Sequence, residues 1–185
     1  STELFLTENE TSWAKKYLTK LGVDPSKKLI IIHPAVSQPI RHWGLDRFIM
    51  LSQRLITDYG YQVMGIFSSE EKTIADSLTE QVKEAFIYIG PVRQSIALIN
   101  EADLMVDNSS GPAQISVALK IPTLVLVGPD YKNTYHERSA YAKNNYVFFK
   151  DVPCRDLYFT KCLTPGPCEK LICLEHPVDE VVKKS

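Results

Sequence analysis

Several signatures that would fix a function at once are missing from this chain of 185 residues. It has no Gly-x-x-x-x-Gly-Lys-Ser/Thr loop, no Gly-x-Gly-x-x-Gly turn and no Gly-x-Ser-x-Gly elbow, which weighs against P-loop hydrolysis, dinucleotide-dependent dehydrogenation and α/β-hydrolase chemistry. Charge of one sign is not in excess: the formal net charge is −1, so no basic field favours nucleic acid or an anionic membrane. Long apolar runs are absent too. Residues 29–32 and 123–127 are among the longest, far short of the roughly 20 residues a membrane-spanning helix needs. The opening residues carry Glu3, Glu8 and Glu10 without a basic stretch, so no signal peptide is expected. The default location is cytoplasmic, at most peripheral to the inner face of a membrane. Histidine is scarce and scattered (His33, His42, His136, His176), and none stands out as a base or metal ligand.

The first 150 residues have no cysteine; Cys154, Cys162, Cys168 and Cys173 all fall in the tail. They are separated by seven, five and four residues, so no Cys-x-x-Cys pair suggests a zinc knuckle. Four reduced thiols in a loop-rich tail wrapping the domain are expected, with a structural metal or labile disulfides as the lesser alternative. Pro153, Pro165, Gly166 and Pro167 accompany them.

What is present is enough hydrophobic surface, 44% of residues against 23% charged, for one domain with a real core. The single domain 1–185 divides into an α/β core at about 28–150, a Cys/Pro-rich tail at 151–176 and a final helix at 177–185. Thr7-x-x-Glu10 reads as a capping box, with Gly22 ending the helix it starts. Strands are legible at 29–32, 61–67, 86–89, 104–106 and 123–127. Between them lie a helical face of Leu45, Phe48, Ile49, Ser52, Leu55 and Ile56 stopped by Gly60, a helix marked by Ile74, Leu78 and Val82, and short helices at 95–101 and 111–120. The alternation predicts an α/β fold, a doubly wound parallel sheet of about six strands with helices on both faces. Such sheets bind ligands beyond the carboxyl ends of their strands. The candidate floor is then 33–41, 67–71, 90–93, 108–114 and 128–131.

The segment from Met105 to Gln114 carries the most information. A strand ends in Asp107, Asn108, Ser109 and Ser110, and a helix starts at Gly111 and Pro112. Ser110 suits the N-cap, and Pro112 in the first turn costs no hydrogen bond. Backbone N–H groups, a partial positive charge and hydroxyls at a strand end suit a phosphate. The same residues also suit an ordinary strand–turn–helix with nothing bound. Arg41, after the first strand, could reach a phosphate over the sheet end or form a surface ion pair. Glu70 and Glu71, opening the helix after the second strand, could favour that helix dipole or accept hydrogen bonds from a ribose.

The order of these features resembles glycosyltransferase family 9, the ADP-heptose:lipopolysaccharide heptosyltransferases and their relatives. His33-Pro34-Ala35-x-Ser37 followed by Arg41-His42-Trp43-x-Leu45-x-Arg47-Phe48 is similar to the family's His-Pro-Gly-x-Ser and Lys-x-Trp-x-x-x-x-Phe segment. Asn108 to Gln114, followed by Ala118-Leu119 and Pro122-Thr123, resembles its Asp-Ser/Thr-Gly-x-x-His block. The spaced cysteines closing at Cys173-Leu174 resemble the tail of many members. The resemblance implies the Rossmann-like C-terminal half of a GT-B enzyme, binding a nucleotide-sugar donor such as ADP-heptose. It further implies an inverting transfer with no metal or other cofactor. The glycolipid or oligosaccharide acceptor and the catalytic base would belong to an N-terminal domain with no counterpart in this chain.

By that resemblance Arg41 faces the donor diphosphate, and Glu70 or Glu71 holds the ribose. Ser109, Ser110 and Gly111 line the diphosphate and sugar, with Asn108 and Gln114 completing the block. The family's aspartate is Ser109 here and its histidine is Gln114; both can hydrogen-bond a sugar hydroxyl but lose the charge or the imidazole. Two other readings remain: a non-catalytic nucleotide- or sugar-binding domain, or another GT-B enzyme such as a nucleotide-sugar epimerase.

Overall fold

A computed structural model describes residues 4–129, 145–154, 168 and 171–185. Tyr131, His136, Cys162, Pro165, Gly166 and Pro167 lie outside the described residues. Six parallel strands form one sheet: β1 (Leu29–His33), β2 (Gln62–Phe67), β3 (Phe86–Ile89), β4 (Leu104–Asn108), β5 (Thr123–Leu126) and β6 (Asn145–Phe148). Their order is β3-β2-β1-β4-β5-β6, so the chain winds outward in one direction from β1 and in the other from β4. The two windings diverge at the carboxyl ends of β1 and β4, and in doubly wound sheets the crevice at this switch point is where ligands bind. The expected α/β, Rossmann-like, doubly wound parallel sheet is the observed one.

Every residue of β1 and β4 is buried, which explains the apolar runs 29–32 and 104–106 that precede their polar ends. Side chains alternate between two faces. Ile30, Ile32, Val106 and Leu124 pack with α2 (Leu45–Tyr59) and with Val181 and Val182 of α6 (Val178–Lys184). Leu29, Ile31, Met64 and Met105 pack with Ala14 and Leu18 of α1 (Glu8–Leu21) and Leu98 and Ile99 of α4 (Val92–Ile99). Two further helices, α3 (Lys72–Gln81) and α5 (Gly111–Ala118), complete the layers. Burying each large aliphatic side chain contributes about 1.5–3 kcal/mol, so the two apolar faces hold the strand ends in fixed positions for the crevice.

Local signals explain most boundaries. Thr7 and Glu10 form the reciprocal capping box at the start of α1, and Gly22 and Gly60 end α1 and α2 in the left-handed conformation. The helix expected at 95–101 instead starts at Val92, because Pro91 takes the N-cap position with φ −60° and ψ 143°. The short strand β6 has no counterpart among the five strands legible in the sequence. It is the edge strand, half polar in exposure, with Tyr146 exposed. The described tail does more than wrap the outside: Cys173 and Leu174 are buried in the same core cluster as Ile30 and Trp43. Cys154, Cys168 and Cys173 border one small apolar cavity with Ile40 and Val152. Among the described residues no helix is long and apolar enough to cross a membrane.

Candidate functional site

His33 ends β1, Asp107 lies in β4, and the two are register partners across the switch point. Their side chains meet: His33 Nδ1 lies 3.2 Å from Asp107 Oδ1, and His33 Nε2 lies 3.4 Å from Glu71 Oε1. Glu71 ends the one-turn 3-10 helix Ser69–Glu71 that follows β2; its other oxygen accepts the Ser68 N–H at 2.7 Å, and that closes a capping box. Three strands, β1, β2 and β4, thus bring a carboxylate–imidazole–carboxylate chain to the crevice.

Asp107 is fully buried, and its two oxygens serve three partners. Besides His33 it accepts the Ser110 hydroxyl at 2.6 Å and the Ala113 N–H at 2.7 Å, both at Oδ2. Ser110 does occupy the N-cap position of α5, with extended backbone, but its side chain makes no capping bond. The carboxylate of Asp107 outcompetes it, because an ionised acceptor binds a helix N–H more strongly than a hydroxyl and also favours the helix dipole. The helix mouth is therefore less open than the sequence suggested: Pro112 has no N–H and that of Ala113 is engaged.

Burial alone would push the His33 proton off, but the Asp107 and Glu71 carboxylates outweigh it and raise the pKa from 6.5 to about 9. The hydrogen bond from His33 takes Glu71 down from 4.5 to about 2, against the opposing effect of burial. His33 is thus an imidazolium at neutral pH. A raised histidine stabilises the fold fully below its unfolded value and loses that contribution as pH rises through its folded value. A depressed glutamate does the reverse. The chain should therefore show a stability plateau from about pH 4.5 to 6.5, falling on the alkaline side by about 3 kcal/mol by roughly pH 9 and also on the acid side toward about pH 2. Chemical denaturation across pH checks it, and a His33→Gln chain should lose the alkaline fall.

The residues expected from sequence divide. Ser110 and the start of α5 converge on Asp107, and Glu71 is linked to it through His33. Asn108 turns the other way, as strand alternation requires. Fully buried, it accepts the Trp43 N–H at 3.0 Å and donates to the Pro34 carbonyl at 2.9 Å, so it fixes the 34–43 loop rather than facing a ligand. Ser109 is buried, whereas Glu70 and Gln114 are exposed. Gly111 is exposed, with open space where a side chain would project, so a ligand has access to its backbone. Arg41 ends the one-turn helix Pro39–Arg41, half-buried, on the loop that Asn108 anchors. In the 90–93 stretch, Arg93 pairs with Glu10 and donates to the Phe5 carbonyl.

His33 and Asp107 are the two residues that sequence reasoning passed over. Their signal was the position of each at a strand end; which strands are neighbours was needed to pair them. Among the described residues, no three His, Cys, Asp or Glu side chains are grouped so as to hold a metal ion.

The fold matches solved glycosyltransferases. Over 98% of the chain it superposes on ADP-heptose lipopolysaccharide heptosyltransferase II of E. coli with a TM-score of 0.73 at 20% identity. A glycosyltransferase family 9 protein from Veillonella parvula matches over the same share with a TM-score of 0.79 at 17% identity. The chain spans 51% of the length of each. The E. coli heptosyltransferase WaaC with ADP matches 72% of the chain, and 41% of its own, with a TM-score of 0.55 and 22% identity. At these identities the likeness shows the fold. No curated protein sequence matches. The family model for glycosyltransferase family 9 (heptosyltransferase) matches residues 2–162, most of the chain, and this protein therefore belongs to glycosyltransferase family 9.

Proposed function

We propose that this chain is the C-terminal, donor-binding half of a two-domain GT-B glycosyltransferase that carries an ADP-heptose-like nucleotide sugar for lipopolysaccharide or envelope polysaccharide assembly. The observation that carries the reading is the switch point between β1 and β4, with the 34–41 loop following one strand and the start of α5 following the other. Family membership supports the sugar-transfer chemistry, and a structural relative in complex with ADP supports the nucleotide. In this reading Arg41 supplies a guanidinium to the diphosphate, the exposed backbone at Gly111 lets the phosphates approach, and Glu70 or Glu71 takes the ribose. Ser109, Ser110 and Gln114 lie toward the sugar. The leaving diphosphate is balanced by Arg41 without a metal.

Transfer with inversion needs an acceptor hydroxyl aimed at the anomeric carbon and a base within hydrogen-bond reach of that hydroxyl. Both are assigned to the other half of the enzyme, so the 185-residue chain alone should bind donor and transfer nothing. Calorimetric titration with ADP, UDP and GDP tests the binding half of the statement. ADP should bind weakly, and Arg41→Ala should weaken it roughly tenfold or more, the size of one lost charge-assisted contact of about 1.5–3 kcal/mol. No binding of any of the three at millimolar concentration, or unchanged binding by the variant, would contradict the site.

A second reading, a nucleotide-binding domain without turnover, is favoured by one observation: Asp107 already holds the Ala113 N–H at the helix mouth. Transfer assays on the complete two-domain protein separate the two.

A further inference from the structure

A buried carboxylate at the mouth of α5 is an obstacle to the anion proposed to bind there. Asp107 sits at the helix start with its charge toward the crevice end of the sheet, and Glu71 adds a second negative charge from the neighbouring turn. Left alone, the pair would repel a diphosphate. His33 lies between them, within 3.2 Å of one and 3.4 Å of the other, at 8% exposure.

We propose that His33 is a positioning residue for the donor diphosphate: as an imidazolium it joins the Asp107 and Glu71 walls of the crevice and cancels the charge that would otherwise repel the phosphates. The inference rests on the donor-binding reading above. With the proton on, the three groups sum to one negative charge; with it off, to two. The proton also decides geometry. An imidazolium donates from both ring nitrogens, so it can hold Asp107, which caps α5, and Glu71, which closes the turn after β2, in one rigid arrangement. A neutral ring donates from only one and must release the other wall. Among the described residues the charged groups acting on His33 are Asp107 from β4 and Glu71 from the 3-10 turn, and the Ser110 hydroxyl lies 3.5 Å from Nδ1. Its pKa near 9 keeps the clamp closed at neutral pH.

The role separates from a merely structural one because it acts on charge. Adenosine shares the nucleoside contacts of ADP but carries no phosphate. Above about pH 7.5 the diphosphate is fully ionised, since its last proton leaves near pH 6. Affinities of the 185-residue chain for ADP and for adenosine are measured from about pH 7.5 to about pH 10, alongside the His33 ring titration by NMR. The ADP affinity is expected to fall roughly five- to tenfold, with a midpoint that follows the His33 titration, while adenosine changes little.

His33→Gln, which can still donate to Asp107 but has no charge, should show that lower ADP affinity at pH 7.5 and no fall at higher pH. Glu71→Gln should move the His33 midpoint and the ADP midpoint down together, whatever it does to affinity overall. Parallel losses for ADP and adenosine, or an ADP affinity in the parent that stays flat while His33 titrates, would overturn the inference and leave donor binding intact. Absence of ADP binding by the parent at every pH would overturn both.

Discussion

Asp107→Ala should be the most damaging single substitution at the crevice, lowering stability by about 3–5 kcal/mol. The expectation follows from what the carboxylate leaves behind. A buried imidazolium loses one of its two counter-charges, the Ala113 N–H loses its carboxylate acceptor, and the Ser110 hydroxyl loses a 2.6 Å bond. Stranding a buried charge costs more than removing a matched pair, so His33→Leu combined with Asp107→Ala should recover part of the loss. Asp107→Asn keeps acceptor oxygen but not charge and should fall between parent and alanine. Urea unfolding followed by circular dichroism measures all four, and an Asp107→Ala chain within about 1 kcal/mol of the parent would show that Asp107 does not hold this junction.

Trp43→Ala should cost a similar amount, about 3–5 kcal/mol, for a different reason. The indole is 1% exposed and packs edge-on against Phe48 with ring centroids 5.1 Å apart. Its Nε1–H donates to the His176 carbonyl at 3.0 Å, and its backbone N–H is the one that Asn108 accepts. Arg47 strengthens the same junction by donating to the carbonyls of Trp43 and Leu174. Loop, sheet end and tail therefore meet at one residue. Removing it should loosen the 34–41 loop and so weaken nucleotide binding as well as stability. Trp43→Phe keeps most of the packing and drops the Nε1 bond, so it should cost about 1–2 kcal/mol. Equal stability of Trp43→Ala and parent would mean that the tail is not anchored there.

The fold was readable because its strands are buried on both faces. Residues 29–32 and 124–127 are unbroken apolar runs, and the capping box at Thr7 and the glycines at 22 and 60 mark helix ends by local chemistry alone. The edge strand β6 was not, since Asn145 and Tyr146 need no apolar pattern on a half-exposed edge. The strand ends were legible in outline. The side-chain network that joins them was not, because it depends on which strands are neighbours. His33 and Asp107 are 74 residues apart in sequence and become partners only when β4 inserts beside β1. The same limit misassigned the work of neighbouring residues: Ser110 suits a cap locally, but a charged competitor three residues earlier was in reach. Asn108 looked like a ligand group beside Ser109, yet alternation along β4 turns it toward Trp43.

The central claim is that the β1/β4 crevice receives the donor nucleotide. Titrating the isotope-labelled 185-residue chain with ADP and following its backbone amide resonances tests this most directly. Saturable shifts should concentrate at 33–41, 68–71 and 107–114, with α1 and α6 unaffected. No saturable shift at millimolar ADP, or shifts centred on the far ends of the strands at 29, 62 and 104, would contradict it.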